Sequence, residues 1–336
     1  MMAIRWGLIG CGDIASKRVA PAMRDLDGHS IAAVARNDSS RAAEFARRFG
    51  AGRAHATAQE VIDDPEVNAV YLATPVDLHL PHTLMAAAAG KHVLCEKPMA
   101  LNTRECDRMI EACDRAGVLL GVAYYRRFYP AVIEIKRLLE QKAIGQPVLG
   151  RVMASEYWDY PADHPFKWRL TWAGGGGGPL MDFGSHRIDI LLDILGPVTH
   201  VSAFTDKILF DREVEDSALV TLRHASGAQS LVGAYHTIGP AGDELEIFGS
   251  RGKVAIEILN KSVMQITSEG RIETKQLPPH PNLHLPLIED FGQAIMEKRP
   301  PKVTGRTGRL TNLVIEAAYR SSREGLIIEV DTSDGK

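Results

Sequence analysis

The first third of the chain alternates short apolar runs with longer segments in which apolar residues recur at helical spacing. The apolar runs predict β-strands at residues 4–9, 30–35, 69–73, 92–95 and 119–122. The longer segments predict helices at residues 14–26, 40–49, 78–89 and 103–116. Strands separated by helices of about 10–15 residues are typical of βαβ units, in which right-handed crossovers connect parallel strands. We therefore predict an α/β fold that begins with a doubly wound, parallel Rossmann sheet.

The pattern changes after Tyr124. From Val198 onward the chain is mostly predicted strands separated by tight turns, as in the hairpin predicted at residues 217–236. Two further helices are predicted near residues 287–297 and 309–324. Strands followed by helices are typical of an α+β domain with a largely antiparallel, open sheet. We therefore predict a nucleotide-binding domain at residues 1–123 and a second domain, for substrate binding and oligomerisation, at residues 124–336.

Composition excludes several classes of protein. The 336 residues include 39 Lys and Arg against 42 Asp and Glu, so the net charge of −3 gives no basic field for nucleic acid or an anionic membrane. No run of about 18 apolar residues is present, and the first residues lack the apolar stretch of a signal peptide. We therefore expect a cytoplasmic protein. Its four cysteines show no C-x-x-C spacing and no accompanying histidine cluster, which predicts free thiols and no metal site.

A glycine-rich motif follows the first predicted strand and opens the first predicted helix. It reads Gly10-Cys11-Gly12-Asp13-Ile14-Ala15, a G-x-G-x-x-A pattern. Gly10 permits a tight turn, Gly12 lets the backbone approach a pyrophosphate, and Ala15 allows close packing of helix and strand. The helix N-terminus then faces the pyrophosphate with N–H groups that have no partner within the helix. Because the motif lies within a βαβ unit, it predicts dinucleotide binding by residues 10–14.

The residue after the second predicted strand distinguishes two cofactors. Sites specific for NAD usually place Asp or Glu there, to bind the ribose 2′-hydroxyl. This chain has Arg36 and Asn37 at that position, with Arg41 about one helical turn further on. A guanidinium suits a 2′-phosphate in charge and geometry, so NADP(H) is favoured while NAD(H) stays possible. The alternative interpretation of Arg36 is a solvated surface arginine.

Three further motifs make the sequence more specific. The first is Ala73-Thr74-Pro75 followed by His79, the second is Glu96-Lys97-Pro98, and the third is the D-x-x-x-H spacing of Asp182 and His186 after the run Gly174–Gly178. With the glycine-rich motif, their order and spacing resemble the glucose–fructose oxidoreductase and inositol dehydrogenase family (Gfo/Idh/MocA). The resemblance covers almost the whole chain. It says little about the substrate.

The resemblance implies a Rossmann domain, a C-terminal domain whose open sheet serves oligomerisation, and hydride transfer at the nicotinamide C4. The implied substrate is a sugar, a polyol, an inositol or a related hydroxy or carbonyl compound, and the implied assembly is a homodimer or homotetramer. Matched motif by motif, the catalytic residues are Lys97, Asp182 and His186. The cofactor would also contact Ala73, Thr74, Pro75, His79, Glu96 and Lys97.

The residue types suit this chemistry. His186 is the natural general acid or base, because the pKa of histidine lies near neutrality. Lys97 can stabilise an alkoxide or polarise a carbonyl, and Asp182 can orient a neighbouring substrate hydroxyl. Each residue has a structural alternative: a surface position for Lys97, a core position for His186 and a helix cap for Asp182. For Asp189 a structural role is favoured.

Aromatic and basic residues near the predicted domain boundary suggest substrate contacts. A sugar presents an apolar ring face and a polar edge, so aromatic side chains beside polar ones suit it, although aromatic residues are equally common in cores. We predict substrate contacts by Tyr125, Arg127, Trp168, Arg169, Asp182 and His186. For His79 a capping or packing role stands beside the predicted cofactor contact.

Three functions are compatible with these motifs. The first is an NADP(H)-favouring oxidoreductase. The second, implied by the resemblance, is a glycosidase that oxidises and re-reduces its sugar with a bound cofactor and therefore shows no net cofactor turnover. The third is a regulator that binds the cofactor without catalysis. Such regulators usually lose the catalytic lysine or histidine, and Lys97 and His186 are both present.

Overall fold

The computed structural model describes residues 3–332, which form two compact units. The first unit contains the described residues up to Tyr125 together with His280–Arg309. The second contains Arg126–Pro279 and the described residues from Leu310 onward. The predicted division of the chain lies at residues 123 and 124 and assigns everything beyond it to one domain. The structure differs in that residues 280–309 return to the first unit.

The first unit is built on a six-stranded parallel sheet. Its strands are β1 (Ile4–Ile9), β2 (His29–Ala35), β3 (Arg53–His55), β4 (Ala69–Leu72), β5 (His92–Cys95) and β6 (Leu120–Val122). They are arranged in the order β3-β2-β1-β4-β5-β6, and every neighbouring pair is parallel. This is the strand order of a Rossmann fold, whose ligands bind beyond the carboxyl ends of the strands. The predicted fold class is confirmed.

Helices connect these strands. They are α1 (Ala20–Asp25), α2 (Ser39–Phe49), α3 (Ala58–Ile62), α4 (His79–Ala88) and α5 (Thr103–Ala116). A π-helical turn, Ala15–Val19, precedes α1. Local sequence signals fix several ends. The side chain of Asp38 accepts a hydrogen bond from the N–H of Arg41 at the start of α2, and α5 ends at Gly117 in the left-handed conformation.

The second unit contains a nine-stranded sheet. Its strands are β7 (Pro147–Ser155), β8 (Val198–Asp206), β9 (Ser217–His224), β10 (Gln229–Tyr235), β11 (Gly242–Gly249), β12 (Gly252–Ile256), β13 (Val263–Ser268), β14 (Arg271–Gln276) and β15 (Ile328–Glu329). Among the strand pairs of this second sheet, as the structure describes it over residues 3–332, only β7 and β10 are parallel. The hairpin predicted at residues 217–236 is confirmed as the antiparallel pair of β9 and β10.

Five more helices complete the chain that the structure describes. They are α6 (Pro130–Glu140), α7 (Trp172–Gly175), α8 (Ser185–Leu195), α9 (Leu285–Glu297) and α10 (Gly305–Glu324). A π-helical turn, Leu180–Gly184, runs directly into α8. Within residues 3–332 no helix combines the length and apolarity needed to cross a membrane. In the same part of the chain, no group of three His, Cys, Asp or Glu side chains could hold a metal ion.

The core of the first unit explains why residues 280–309 belong to it. Phe291, on α9, is buried and lies with its ring centroid 6.0 Å from that of Trp6 on β1. A Cβ atom on Gly121 would lie 2.8 Å from the Phe291 ring, so β6 has room for this helix only because residue 121 is glycine. The N–H of Val122 donates to the carbonyl oxygen of Val303. These contacts join segments more than 100 residues apart in sequence, a relationship that hydrophobic periodicity does not report.

Candidate active site

The glycine-rich loop connects β1 to the first helix. Gly10 has a φ angle of +96°, and a Cβ atom there would lie 2.5 Å from the carbonyl oxygen of Ala73. Gly10 therefore allows both the turn and the close approach of the loop that follows β4. A Cβ atom on Gly12, by contrast, would meet nothing within 4 Å. The loop thus leaves open space beside the start of the helix, which begins at Asp13 and has N–H groups without intrahelical partners. This arrangement fits a pyrophosphate.

The remaining residues of the glycine-rich motif divide between the core and the surface. Cys11 is buried, and its thiol lies 3.5 Å from the carbonyl oxygen of Ala35. Burial raises the pKa of the Cys11 thiol to about 12, against a smaller opposite effect of Arg36, so this side chain stays a neutral thiol. Asp13 is exposed and pairs with Lys17, one helical turn on, at 2.8 Å. The Cys11 side chain is therefore a core group, and a cofactor would contact this residue only through its backbone.

The polar residues after β2 are arranged around the same loop. Arg36 is partly buried, and its Nη1 atom donates to the carbonyl oxygen of Cys11 over 2.8 Å. Asn37 is exposed beside it. Arg41 lies in the first turn of α2, where it pairs with Asp38 at 3.4 Å. The structure thus places Arg36 at the glycine-rich loop, whereas Arg41 has a carboxylate partner of its own.

The loop after β4 contains the predicted segment Ala73-Thr74-Pro75. The Oγ1 atom of Thr74 is buried and has no hydrogen-bond partner among the described residues. An orphaned hydroxyl in this loop fits a site that a ligand completes. His79 is almost fully buried, with ring nitrogens 3.0 Å from the carbonyl oxygen of Thr74 and 3.1 Å from that of Pro98. His79 therefore connects the loop after β4 to the loop after β5, an arrangement that supports the packing role.

Glu96 and Lys97 follow β5. The Glu96 carboxylate is buried and accepts hydrogen bonds from the hydroxyl of Tyr71 (2.7 Å), the Nε2 of His284 (3.2 Å) and the N–H of Lys97 (3.2 Å). Burial raises the pKa of Glu96, but the hydrogen bond and charge of His284, together with Tyr71 and Lys97, outweigh burial and lower it overall. Glu96 is thus held as a carboxylate directly before the partly exposed Lys97. The peptide bond between Lys97 and Pro98 is cis.

Two of these partners were not predicted from the sequence. Tyr71 looked like an ordinary core residue of a buried strand. His284 lies 188 residues from Glu96 in the chain and belongs to no recognisable spacing. Its ring also packs on that of Tyr125, with centroids 4.6 Å apart. Tyr125 is about 9% exposed and has the guanidinium of Arg18 5.6 Å from its ring centroid. In the first unit, Tyr125 is thus mainly a packing residue.

In the second unit, a π-helical turn carries Asp182 and leads into α8, which carries His186. The Asp182 side chain is about one-third exposed, and its Oδ2 atom lies 3.7 Å from Nη2 of Arg169. His186 is buried. The structure therefore brings together two residues of the predicted site, Asp182 and Arg169, in one charged contact. Trp168, beside Arg169, is partly exposed.

A buried ion-pair cluster lies further along α8. Arg127 donates to both carboxylate oxygens of Asp189, with a shortest distance of 2.7 Å, and to Asp193 at 3.1 Å. Lys136 also pairs with Asp193, at 2.9 Å. Burial raises the pKa of Asp189 to about 6, and the charge of Arg127 opposes it. Arg127 was predicted to contact substrate, but its guanidinium is buried and committed to these carboxylates, so we leave it out of the proposed site.

A second buried basic group lies near Asp182 and was also missed. His236 packs edge-on against Phe183, with ring centroids 5.0 Å apart, and its Nδ1 atom is 3.0 Å from Nη2 of Arg212. Burial lowers the pKa of His236 to about 3, assisted by the charge of Arg212 and opposed by that of Asp182. His236 is thus a neutral ring near neutral pH. In the sequence His236 is a single histidine after a predicted strand, and nothing there indicates that it is buried close to Asp182.

The predicted site residues are divided between the two units. The cofactor residues and Lys97 lie in the first unit, whereas Asp182 and His186 lie in the second. Within the first sheet, β2, β1, β4 and β5 are consecutive and parallel. Their carboxyl ends therefore carry, in spatial order, Arg36, the glycine-rich loop, Thr74 and Lys97. This edge of the sheet defines a class of protein, the enzymes that bind a nicotinamide dinucleotide on a Rossmann fold.

Comparison with protein families assigns the chain more specifically. Residues 4–124 match the model described as oxidoreductase family, NAD-binding Rossmann fold (GFO_IDH_MocA), and residues 132–255 match the GFO/IDH/MocA C-terminal domain. The chain belongs to this oxidoreductase family, and it is an enzyme of the oxidoreductase class. The family predicted from the motifs is confirmed.

Individual relatives are similar over nearly their whole length. The chain is 30% identical to 1,5-anhydro-D-fructose reductase of Ensifer adhaerens, over 98% of this chain and 99% of that protein. It is 29% identical to an aldose-aldose oxidoreductase from Caulobacter crescentus solved in complex with glycerol, with a TM-score of 0.89 over 98% of this chain and 100% of that one. It is 26% identical to the WlbA dehydrogenase from Bordetella pertussis, solved with NADH and UDP-GlcNAcA, with a TM-score of 0.85 over 98% of both chains.

Proposed function

We propose that this protein is an NADP(H)-preferring oxidoreductase that transfers a hydride between the nicotinamide C4 and a sugar, polyol, inositol or related carbonyl compound. The observation that supports it most directly is the order of residues along the carboxyl edge of the first sheet. Arg36 follows β2 and Lys97 follows β5, three interstrand spacings away, or about 14 Å. That span suits a dinucleotide whose adenosine ribose lies at Arg36 and whose nicotinamide lies at Lys97.

The preference for NADP(H) rests on Arg36. An acidic side chain in this position would accept hydrogen bonds from the ribose 2′-hydroxyl and repel a 2′-phosphate. Arg36 has the opposite charge, and its side chain lies against the glycine-rich loop through Cys11. A guanidinium offers several N–H donors in one plane, so it can support the loop and bind a phosphate with different atoms.

The rest of the cofactor site would be provided by backbone. Gly10 and Gly12 keep the loop after β1 free of side chains, and the first turn of the helix supplies N–H donors for the pyrophosphate. The orphaned hydroxyl of Thr74 is a further donor in the next loop. Bound there, the nicotinamide would supply the hydride acceptor for alcohol oxidation, or the hydride donor for carbonyl reduction.

The chain's own side chains would handle the proton and the charge. His186 would remove the hydroxyl proton as the alcohol is oxidised and return it in the reverse direction. Lys97 would stabilise negative charge on the substrate oxygen. Asp182 would accept a hydrogen bond from a neighbouring hydroxyl and so select the carbon that reacts. Arg169, which pairs with Asp182, would place a cation at the same substrate edge, with Trp168 as an aromatic contact.

The relatives favour this substrate class. An anhydrofructose reductase and an aldose-aldose oxidoreductase both have names that specify carbohydrate substrates. We therefore propose a panel of aldoses, ketoses, polyols and inositols, each offered with NADP(H) and NAD(H), while the absorbance of the reduced nicotinamide is followed. The proposal predicts net turnover with at least one member. His186→Asn should lose that turnover, whereas the control His200→Asn, at a partly exposed position on β8 outside the proposed site, should keep it.

The same panel separates the other functions. Hydrolysis of a glycoside without net change in the cofactor would replace the oxidoreductase proposal with a glycosidase. Cofactor binding without turnover of any member, and without hydrolysis, would instead favour a regulator.

We also propose self-association through the nine-stranded sheet. Large apolar side chains are solvent-exposed close together in the chain at the β8 end of this sheet: Phe204 on β8 (71%), then Ile208 (71%) and Leu209 (54%) just after it. Contiguous exposed apolar surface often marks a protein interface. Light scattering coupled to size-exclusion chromatography should give the mass of a dimer or tetramer, and the mass of a single chain would contradict this proposal.

A further inference from the structure

The helical segment that carries Asp182 and His186 begins at a buried turn. The N–H groups at that turn donate hydrogen bonds to a side chain from a distant part of the sequence. The π-helical turn Leu180–Gly184 has no side-chain cap of its own, and Pro179 before it has no N–H group. On either side of that proline, the N–H groups of Gly178 and Leu180 both donate to the carboxylate of Glu215, over 2.8 and 3.1 Å. One carboxylate therefore holds both N–H groups that flank Pro179 at the helix start.

Glu215 is itself fixed in place. It is about 4% exposed, and its carboxylate accepts a hydrogen bond from the hydroxyl of Tyr319, on α10, over 2.9 Å. Its backbone carbonyl accepts from Nη2 of Arg212 over 2.6 Å. The next residue, Asp216, accepts hydrogen bonds from the N–H groups of residues 208–210, which organises the loop before β9. The Glu215 carboxylate is therefore held in place by contacts that do not involve the helix start.

The close packing of Glu215 and Tyr319 against the helix start also explains why glycines precede Pro179. A Cβ atom on Gly178 would lie 2.0 Å from the backbone oxygen of Glu215. A Cβ atom on Gly177 would lie 2.1 Å from the hydroxyl oxygen of Tyr319. Any side chain at these positions would therefore push the helix start away from the carboxylate. A run of glycines predicts close backbone approach, and the structure identifies Glu215 and Tyr319 as the groups approached.

We propose that Glu215 is a positioning residue of the active site, whose carboxylate fixes the start of the helix carrying Asp182 and His186 while Tyr319 orients that carboxylate. This inference rests on the proposed function, because it assigns the two residues a catalytic role. Neither Glu215 nor Tyr319 needs to contact substrate. Their effect is to hold the turn that carries Asp182 in one arrangement, since misplacement of a reacting group by about 1 Å can cost two orders of magnitude in rate.

The mechanism requires the ionised form of Glu215. A carboxylate offers two acceptor oxygens to the two N–H groups, whereas a carboxylic acid or an amide turns a donor toward one of them. Burial raises the pKa of Glu215 to about 7, against the hydrogen bonds of Gly178, Tyr319 and Leu180. The other titratable or charged groups around it are Arg212, which donates to its backbone, and Asp216, which follows it in the chain. Acidification below neutrality should therefore loosen the helix start.

Hydrogen–deuterium exchange of the whole protein tests this without a substrate. Glu215→Gln should lower the protection factors of the amides in peptides covering residues 176–186 by about tenfold or more at pH 8. Wild-type protein should lose protection in the same peptides as the pH falls from 8 to 6, whereas Glu215→Gln should change little. The matched control is Glu213→Gln, because Glu213 is exposed and accepts a hydrogen bond from the N–H of Trp172 instead.

Kinetics then separates positioning from simple packing. With any substrate that the panel identifies, Glu215→Gln should lower kcat by roughly tenfold to a hundredfold, and NADPH affinity should stay within about twofold. Tyr319→Phe keeps the carboxylate and loses one donor, so its kcat should fall less. That variant also serves if Glu215→Gln does not fold.

Each result decides the inference. Unchanged exchange at residues 176–186 in both variants would overturn it, whether or not a substrate is known. Faster exchange with an unchanged kcat would show that the contact is only structural. Faster exchange in a protein that turns over no member of the panel would contradict the proposed function and leave the contact itself established.

Discussion

Arg36 donates a hydrogen bond from its Nη1 atom to the carbonyl oxygen of Cys11, over 2.8 Å. Arg36 follows β2 and Cys11 lies in the glycine-rich loop after β1, so one side chain joins the carboxyl ends of two neighbouring strands. In an enzyme with an acidic residue at this position, repulsion between the carboxylate and the carbonyl oxygen would prevent such a contact. The arginine therefore supports the loop, and under the proposed function it also binds the 2′-phosphate.

The two roles predict unequal effects of one substitution. Arg36→Asp should weaken NADPH binding by roughly a hundredfold, because a charged hydrogen bond worth about 1.5–3 kcal/mol is replaced by repulsion. NADH binding should weaken by less than about tenfold, through the lost support of Cys11. Calorimetric titration of both cofactors measures the difference. The control Arg47→Ala, which removes an exposed arginine from the last turn of α2, should change neither affinity. Equal losses for NADPH and NADH would mean that Arg36 does not bind the phosphate.

Lys97 should matter for turnover and little for cofactor affinity. Lys97→Ala removes the cation that would stabilise charge on the substrate oxygen, so kcat should fall by at least about a thousandfold. The NADPH dissociation constant should stay within about tenfold. Steady-state kinetics and titration of the same preparation provide both numbers, with the exposed Lys207→Ala as control. Normal turnover by Lys97→Ala would remove this residue from the catalytic set.

His79 should contribute to stability and to cofactor binding through one contact. Its ring lies between the carbonyl oxygens of Thr74 and Pro98, and burial lowers the pKa of His79, so the neutral ring donates to one of them. His79→Ala therefore leaves a cavity and removes the donor from that oxygen. We expect a loss of about 2–4 kcal/mol in the free energy of unfolding, measured with urea, and weaker NADPH binding. The control is His82→Ala, because His82 lies about one turn further along α4 and its side chain is partly exposed. A stable variant with normal affinity would contradict the connecting role.

Burial of His236 should make the folded protein less stable as the pH falls. Burial lowers the pKa of His236 to about 3, below the value of about 6.5 expected in the unfolded chain. Between these values the unfolded chain binds a proton that the folded protein does not, so stability is lost as the pH falls. The loss from this group is about 2 kcal/mol at pH 5. His236→Asn cannot titrate, so the stability difference between wild type and variant should shrink by that amount between pH 7.5 and pH 5. A difference independent of pH would contradict the assignment.

Local signals made much of the fold predictable. The helix predicted at residues 103–116 is observed as α5 with those bounds, because Asn102 caps its first turn and Gly117 ends it in the left-handed conformation. The edge strand β3 and the short helix α3 were missed. β3 contains three residues, two of them polar, and so shows no apolar run. A capping box formed by Thr57 and Glu60 was the available signal for α3.

The candidate site was predictable only where function imposes a spacing. The glycine-rich motif, the E-K-P motif and the D-x-x-x-H motif each have fixed residue types at fixed intervals. Glu215, Tyr319 and His284 have none, because they reach the site through tertiary contacts across 35 to 188 residues of chain. For Arg127, the sequence showed a basic residue among aromatic ones and could not show Asp189, which buries and neutralises it.

The central claim is that the edge of the first sheet binds NADP(H) with Arg36 at the 2′-phosphate. A paired fluorescence titration of the purified wild-type protein with NADPH and NADH tests it most directly, and no substrate is needed. We predict that NADPH binds more tightly by tenfold or more. Equal affinity, or tighter binding of NADH, would contradict the claim and leave Arg36 as a support for the glycine-rich loop alone.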